Sequence, residues 1–164
     1  MPDLLTHVLI AYILATLLSF RYEWLTPQFV TVVMLGALVP DLTKIQLLVD
    51  SYIVKSILGI PFDWYAIHTA GGALVAITIG ALLTDNTHRR RVFALLALGA
   101  ASHLLLDAQL IKPSGYASPL LWPFTAYQPP TPGLYVSYDR WPALVAGTVA
   151  AIIWYWRWHW IDDS

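Results

Sequence analysis

Residues 91–111 read RVFALLALGAASHLLLDAQLI, an apolar run that ends in a histidine and an aspartate. About 20 consecutive apolar residues match the length of a helix that crosses a bilayer core about 30 Å thick. No ionisable residue lies between positions 92 and 101, whereas His103 and Asp107 follow near the end. These two residues are four apart, so their side chains share one helix face. The stretch therefore predicts a membrane helix with one polar end.

The composition of the whole chain favours the same class. Of its 164 residues 58% are hydrophobic and 12% charged, and the mean hydropathy is +0.62. A soluble domain carries about 25% charged residues, so this chain lacks the surface of a soluble module. The net charge of −1 gives no indication of a nucleic-acid partner, and the lack of cysteine excludes disulfides and thiolate metal sites. We predict one integral membrane domain over residues 1–164.

The chain divides into apolar segments that predict an all-α, polytopic helical bundle. Five membrane helices are expected, at about residues 4–20, 28–39, 64–84, 91–111 and 141–160. Because residues 1–7 lack the basic region of a signal peptide, the first segment is expected to remain in the mature protein.

Two further segments connect these helices. Pro40 predicts a break after the second segment, and the amphipathic stretch 42–59 predicts a short interfacial helix. Six prolines between residues 112 and 139 exclude a spanning helix there. This loop is either a plain connector or a functional roof over a site.

The ionisable residues inside the apolar segments all fall at one end of the predicted bundle. Because successive segments alternate in direction, the start of an odd segment and the end of an even one lie on the same side. The residues placed there are His7, Asp41, His68, His103 and Asp107. The other halves of these helices are apolar, which argues against an ion pathway or a transporter.

Three imidazoles and two carboxylates are typical ligands of zinc, manganese or iron rather than calcium or magnesium. A bound cation would also offset the cost of charged groups in the membrane, about 2.5–3.5 kcal/mol or more each near the bilayer centre. Structural alternatives remain open at this point. Asp41 could cap the next helix, and His103 and Asp107 could form a hydrogen-bonded structural pair.

The segments HVLIAY, GALVPDLTK, AIHTAGG and SHLLLDAQ, followed by GYASPLLWPFTAY, resemble the YdjM-like family of membrane-bound metal-dependent hydrolases. The resemblance covers about residues 7–127. That family is similar to the zinc-dependent phospholipase C and single-strand nuclease superfamily. The resemblance implies that all five residues at the polar end are metal ligands.

The sequence departs from the family pattern at two places. Residues 62–67 read FDWYAI where the family has His-Arg-Gly, and the additional histidine and glutamate ligands of the soluble phospholipases in the related superfamily have no clear match after Asp107. The resemblance therefore implies one or two ions rather than three, zinc first, with manganese or iron as alternatives.

The expected function is cleavage of a phosphate ester of a lipid or other amphiphile, as in phospholipases; the alternative is an ion that only holds helices together. Asp41 or Asp107 is the expected general base, with Asp63 as a helper. Lys44 and Arg140 lie on the same side and are expected to hold a phosphate. Arg140 would equally suit an ion pair with the aspartate before it or a lipid headgroup.

Positive charge predicts the orientation of the bundle. Arginines at 89–91 occupy a short loop at the end opposite the polar residues. By the positive-inside rule, that loop faces the cytoplasm and the candidate site faces the extracytoplasmic side of the plasma membrane. Membrane lipids are the expected partners, and the sequence does not predict an oligomeric state.

Overall fold

The computed structural model describes residues 4–162, and their backbone confirms the all-α prediction. The six α-helices are α1 (Leu4–Ser19), α2 (Pro27–Leu38), α3 (Ser51–Leu58), α4 (Ala70–Leu82), α5 (Arg89–Asp107) and α6 (Trp141–Asp162). Two 3-10 segments, Pro40–Leu47 and Trp64–His68, precede α3 and α4. Within this described part of the chain, β-structure is limited to isolated bridges.

Two predicted segments differ from the structure in their local geometry. The helix predicted from residue 64 begins only at Ala70, because Thr69 caps it by accepting a hydrogen bond from the Gly72 N–H (3.3 Å). His68 therefore lies at the end of a 3-10 segment, not on a membrane helix. The predicted interfacial stretch is also divided, between the first 3-10 segment and α3, and none of the α3 residues is buried.

Helices α2 and α5 form the centre of the bundle. Helix α1 packs on one side of this pair and α4 on the other, and α6 packs against α1. The central helices approach closely because glycines face each other: a Cβ on Gly99 would overlap the Val33 carbonyl oxygen, and one on Gly36 would overlap the Leu96 carbonyl oxygen. Small residues are what membrane helices use for such close contacts.

The Pro-rich loop 112–139 is bonded to the helix ends around the candidate site. The Leu120 and Trp122 carbonyl oxygens accept hydrogen bonds from the first N–H groups of α4, at 2.6 and 2.9 Å. Near the end of α5, the Ile111 N–H donates to the Tyr135 carbonyl oxygen (2.8 Å). The loop is therefore attached to both α4 and the residues that follow α5.

No single helix within residues 4–162 is both long enough and apolar enough for a membrane span. Helix α2 and the 3-10 segment that follows it meet both criteria when they are taken together, with a bend of 53° between them.

The outer faces of the bundle are strongly apolar. Large exposed side chains on the outermost helices are Leu74, Val75, Ile79 and Leu82 on α4, and Leu144, Val145, Ile152 and Trp156 on α6. Extended apolar surface of this kind marks a region that contacts lipid or another protein rather than water.

Candidate metal centre

Four different elements bring the five predicted ligands together at one end of the bundle. They are His7 on α1, Asp41 and His68 on the two 3-10 segments, and His103 and Asp107 on α5. All five are buried, with exposed fractions between 1% and 6%. We refer to them as the five-residue cluster.

Asp107 lies at the centre of the cluster. Its Oδ2 atom is 2.6 Å from His68 Nε2 and 3.5 Å from His103 Nε2. Its Oδ1 atom is 3.5 Å from His7 Nε2. One carboxylate thus faces all three imidazoles, although only the His68 contact is short enough to be a strong hydrogen bond.

Backbone carbonyls fix the orientation of two of the imidazoles. The His103 Nδ1–H donates to the Ala37 carbonyl oxygen (2.7 Å), and the His68 Nδ1–H donates to the Pro40 carbonyl oxygen (3.2 Å). A carbonyl can only accept, so in a neutral ring Nε2 is the nitrogen with the lone pair that a metal needs, and it points toward the cluster. Metal-binding histidines are usually held in this way. The short His68–Asp107 contact would instead need a proton on His68 Nε2, which an ion bound there would replace.

Several polar atoms of the cluster are buried without a hydrogen-bond partner. They are both ring nitrogens of His7, His103 Nε2, Asp107 Oδ1 and Asp41 Oδ1. The His7 ring stacks on the His103 ring, with centroids 3.7 Å apart. Because unpaired buried polar groups are costly, so many at one place are typical of a cluster that could hold a cation.

Two sets of three residues within the cluster have the spacing of metal ligands. One is His7, His103 and Asp107; the other is Asp41, His68 and His103; within each set the ligand atoms lie within 4.8 Å of one another. His103 belongs to both, but its Nδ1 is used by Ala37, so it can ligate only one ion. If two ions were bound, one would have His103 as a ligand and the other would have only the two remaining residues of its set.

Asp41 is paired with Lys44 and does not cap a helix. Lys44 Nζ donates to Asp41 Oδ2 (2.8 Å), and the Lys44 side chain is 39% exposed. Val39 occupies the cap position of this 3-10 segment, so the structural alternative of Asp41 as a helix cap is wrong. This ion pair connects the buried cluster to the ammonium group of Lys44, which reaches the surface.

Two predicted site residues lie outside the cluster. Asp63 is exposed, and its Oδ1 accepts a hydrogen bond from the Tyr65 N–H (2.9 Å) at the start of the second 3-10 segment. Arg140 lies just before α6 in a surface groove with Leu5. Among the described residues, no ion pair or hydrogen bond joins Arg140 to the cluster. The catalytic role of Asp63 and the phosphate-binding role of Arg140 stay predictions.

Tyr135 is a residue that the sequence did not single out. Its hydroxyl donates to the Leu106 carbonyl oxygen (2.7 Å), and only 5% of the residue is exposed. Burial, and to a smaller extent the charge of Asp107, raises the pKa of Tyr135 to about 12. The sequence of the proline-rich loop does not distinguish this tyrosine from its neighbours. Its hydrogen bond to Leu106 forms only when the loop packs against the end of α5.

Comparisons with known proteins identify the family. No curated protein and no solved structure matches the chain. The model of the family described as YdjM inner membrane protein matches residues 1–162, nearly the whole chain. The chain therefore belongs to the YdjM inner membrane protein family.

Proposed function

We propose that this protein is a membrane-embedded, metal-dependent hydrolase that cleaves a phosphate ester of a lipid or another amphiphile at the membrane interface. One observation carries the proposal: His7, His103 and Asp107 lie together as a buried set of three candidate ligands. Three protein ligands leave one position of a tetrahedral metal open, as in catalytic zinc sites, whereas structural zinc sites use four.

The donor set favours zinc, with manganese and iron as alternatives, because imidazole and carboxylate ligands suit these ions. A bound divalent ion supplies two kinds of chemistry: it lowers the pKa of water to about 7, and it polarises a phosphoryl oxygen. The chain itself has to hold the ion, accept a proton and position the phosphate.

Asp41 is the proposed general base of the cluster. Its Oδ1 has no hydrogen-bond partner, while its Oδ2 is held by Lys44. Asp107, the other carboxylate, faces three imidazoles and is more suited to holding the ion. Lys44 is partly exposed and could bind a phosphate while it positions Asp41. Asp63 and Arg140 would assist from outside the cluster.

The bundle is proposed to sit in the membrane with about five membrane helices and with α3 at the interface. Apolar outer faces on α4 and α6 support a lipid environment for these helices. Helix α3 has no buried residue, and its exposed Tyr52, Ile53 and Ile57 would rest in the headgroup region.

The test of the function combines metal content with turnover. The protein is purified in detergent, bound metal is measured by elemental analysis, and phospholipids with different headgroups are supplied in mixed micelles. We expect headgroup or phosphate release that a chelator abolishes and added zinc restores. His103→Ala should lose both metal and turnover, whereas His159→Ala, a histidine far along α6, should lose neither.

A structural ion is the second candidate, and the burial of the cluster favours it. His7 and His103 are each only 1% exposed, which suits a closed shell. In that case the wild type would contain stoichiometric metal, a chelator would lower its thermal stability, and no phosphate ester would be cleaved. This set of results would contradict the proposed hydrolase.

Orientation is tested separately with cysteines, because the natural chain has none. Ser56→Cys places an exposed thiol on α3 near the site, and Asn86→Cys places one in the loop before Arg89. In intact cells we expect a membrane-impermeant maleimide to label position 56 but not position 86, since the arginines at 89–91 should face the cytoplasm. Labelling only at position 86 would reverse the proposed orientation.

A further inference from the structure

We propose that an apolar cleft between α1 and α6 holds an acyl chain of the lipid whose phosphate ester the cluster cleaves. This inference rests on the proposed function and names its substrate class. On α1 the cleft is lined by Thr6, Ile10 and Ile13, and on α6 by Val145, Ala146 and Val149. Its volume is about 310 Å³.

The lining of the α1–α6 cleft suits a hydrocarbon chain rather than a polar ligand. Apart from Thr6 and Gln109 it consists of aliphatic and aromatic side chains and one proline. The Gln109 amide already donates to the Leu105 carbonyl oxygen (3.2 Å). A polar or charged ligand would find few partners there, whereas each buried methylene of an acyl chain contributes about 0.8 kcal/mol.

One end of the α1–α6 cleft lies at the level of the five-residue cluster. Thr6 directly precedes His7, and Leu106, which also lines the cleft, directly precedes Asp107. Tyr135 lines the same end and bonds the Leu106 carbonyl oxygen. A chain in the cleft would therefore start at the level of the cluster.

From that level the cleft runs along the apolar half of the bundle. Thr6 and Ile13 are seven residues apart on α1, which corresponds to about 10 Å of helix at 1.5 Å per residue. A lipid lying here would have its ester region beside the cluster and its chain directed away from it. This arrangement selects amphiphiles with an acyl chain over soluble phosphate esters.

Photocrosslinking tests the cleft directly. A phosphatidylethanolamine that carries a diazirine about halfway along one acyl chain is added at one equivalent per protein in detergent. After illumination, crosslinked peptides are mapped by mass spectrometry, with and without a chelator. We expect crosslinks on α1 and α6 around Ile10 and Val149, in both conditions, because the cleft itself contains no metal ligand.

Two tryptophan variants provide the comparison. Val145→Trp fills the cleft from an exposed position (56% exposed) and should abolish these crosslinks. Ile152→Trp is a matched change on α6 (51% exposed) outside the cleft and should keep them. If Val145→Trp proves unstable in thermal unfolding, Val149→Phe replaces it.

The outcomes separate this inference from the proposed function. Crosslinks spread over the outer faces of α4 and α6, crosslinks unchanged by Val145→Trp, or a protein dimer seated on this face would each overturn the acyl-chain site, even if zinc and turnover are present. Conversely, crosslinks in the cleft of a protein that binds no metal would uphold the lipid site and refute the hydrolase.

Discussion

Replacing Asp107 by asparagine is expected to abolish stoichiometric metal binding while the helices stay folded. Asparagine keeps the size of the side chain but removes the negative charge that faces His7, His68 and His103. Losing a residue that only supports a ligand costs about 10–100-fold in metal affinity, and loss of the central carboxylate should exceed that. Elemental analysis of the purified variant measures the effect, and hydrolysis should disappear with the metal.

Asp63→Asn is the matched control for this change. It removes a carboxylate at the same end of the protein, from an exposed position outside the cluster. This variant should keep its metal, although any helper role of Asp63 would appear as slower turnover. If Asp107→Asn retained as much metal as the control, the cluster would have to be interpreted as a hydrogen-bonded structural group.

Replacing Gly99 by alanine is expected to destabilise the protein strongly. The added Cβ would overlap the Val33 carbonyl oxygen and crowd the Ala37 N atom, both of which belong to the backbone of α2. Backbone cannot move aside like the end of a side chain, so α2 and α5 must separate. Overpacking of this kind costs about 1–3 kcal/mol. The shift should also weaken metal binding, because Ala37 holds His103.

Gly147→Ala provides the comparison on α6. There the nearest atom to an added Cβ is Leu9 Cδ1 at 3.8 Å, an ordinary contact. Alanine favours a helix by up to about 1 kcal/mol over glycine, so this variant should be neutral or more stable. Circular dichroism during heating in detergent measures both midpoints. Equal midpoints for the two variants would mean that α2 and α5 are not closely packed at Gly99.

The sequence was sufficient to predict which residues meet in the cluster, because the direction of each segment decides which polar residues lie at the same end. Alternating segment direction places His7, Asp41 and His68 at the same end as His103 and Asp107, and the structure brings all five together. The family resemblance, made on the same residues, is confirmed by the family model. The positions of the polar residues in successive segments were sufficient for the first prediction, whereas the second depended on sequence motifs that resemble those of a known family.

The details of the cluster could not be predicted, because they depend on backbone contacts between distant parts of the chain. The Ala37 carbonyl reaches His103 only because Gly36 and Gly99 let two helices approach. The start of α4 was misplaced because hydropathy does not register the cap at Thr69. Tyr135 bonds Leu106 across 29 positions, and no short-range pattern encodes that contact.

The five candidate ligands are divided between two kinds of backbone, three on α-helices and two on the 3-10 segments. His7, His103 and Asp107 are carried by long, mutually packed α-helices, whereas Asp41 and His68 are carried by 3-10 segments. Such turns have weaker internal hydrogen bonds and often act as hinges. A small rotation at either one would uncover the buried centre on one side while the three residues on the α-helices stayed in place and could still hold an ion. In the proposed hydrolase, substrate could thus reach the cluster without any movement of the main helices.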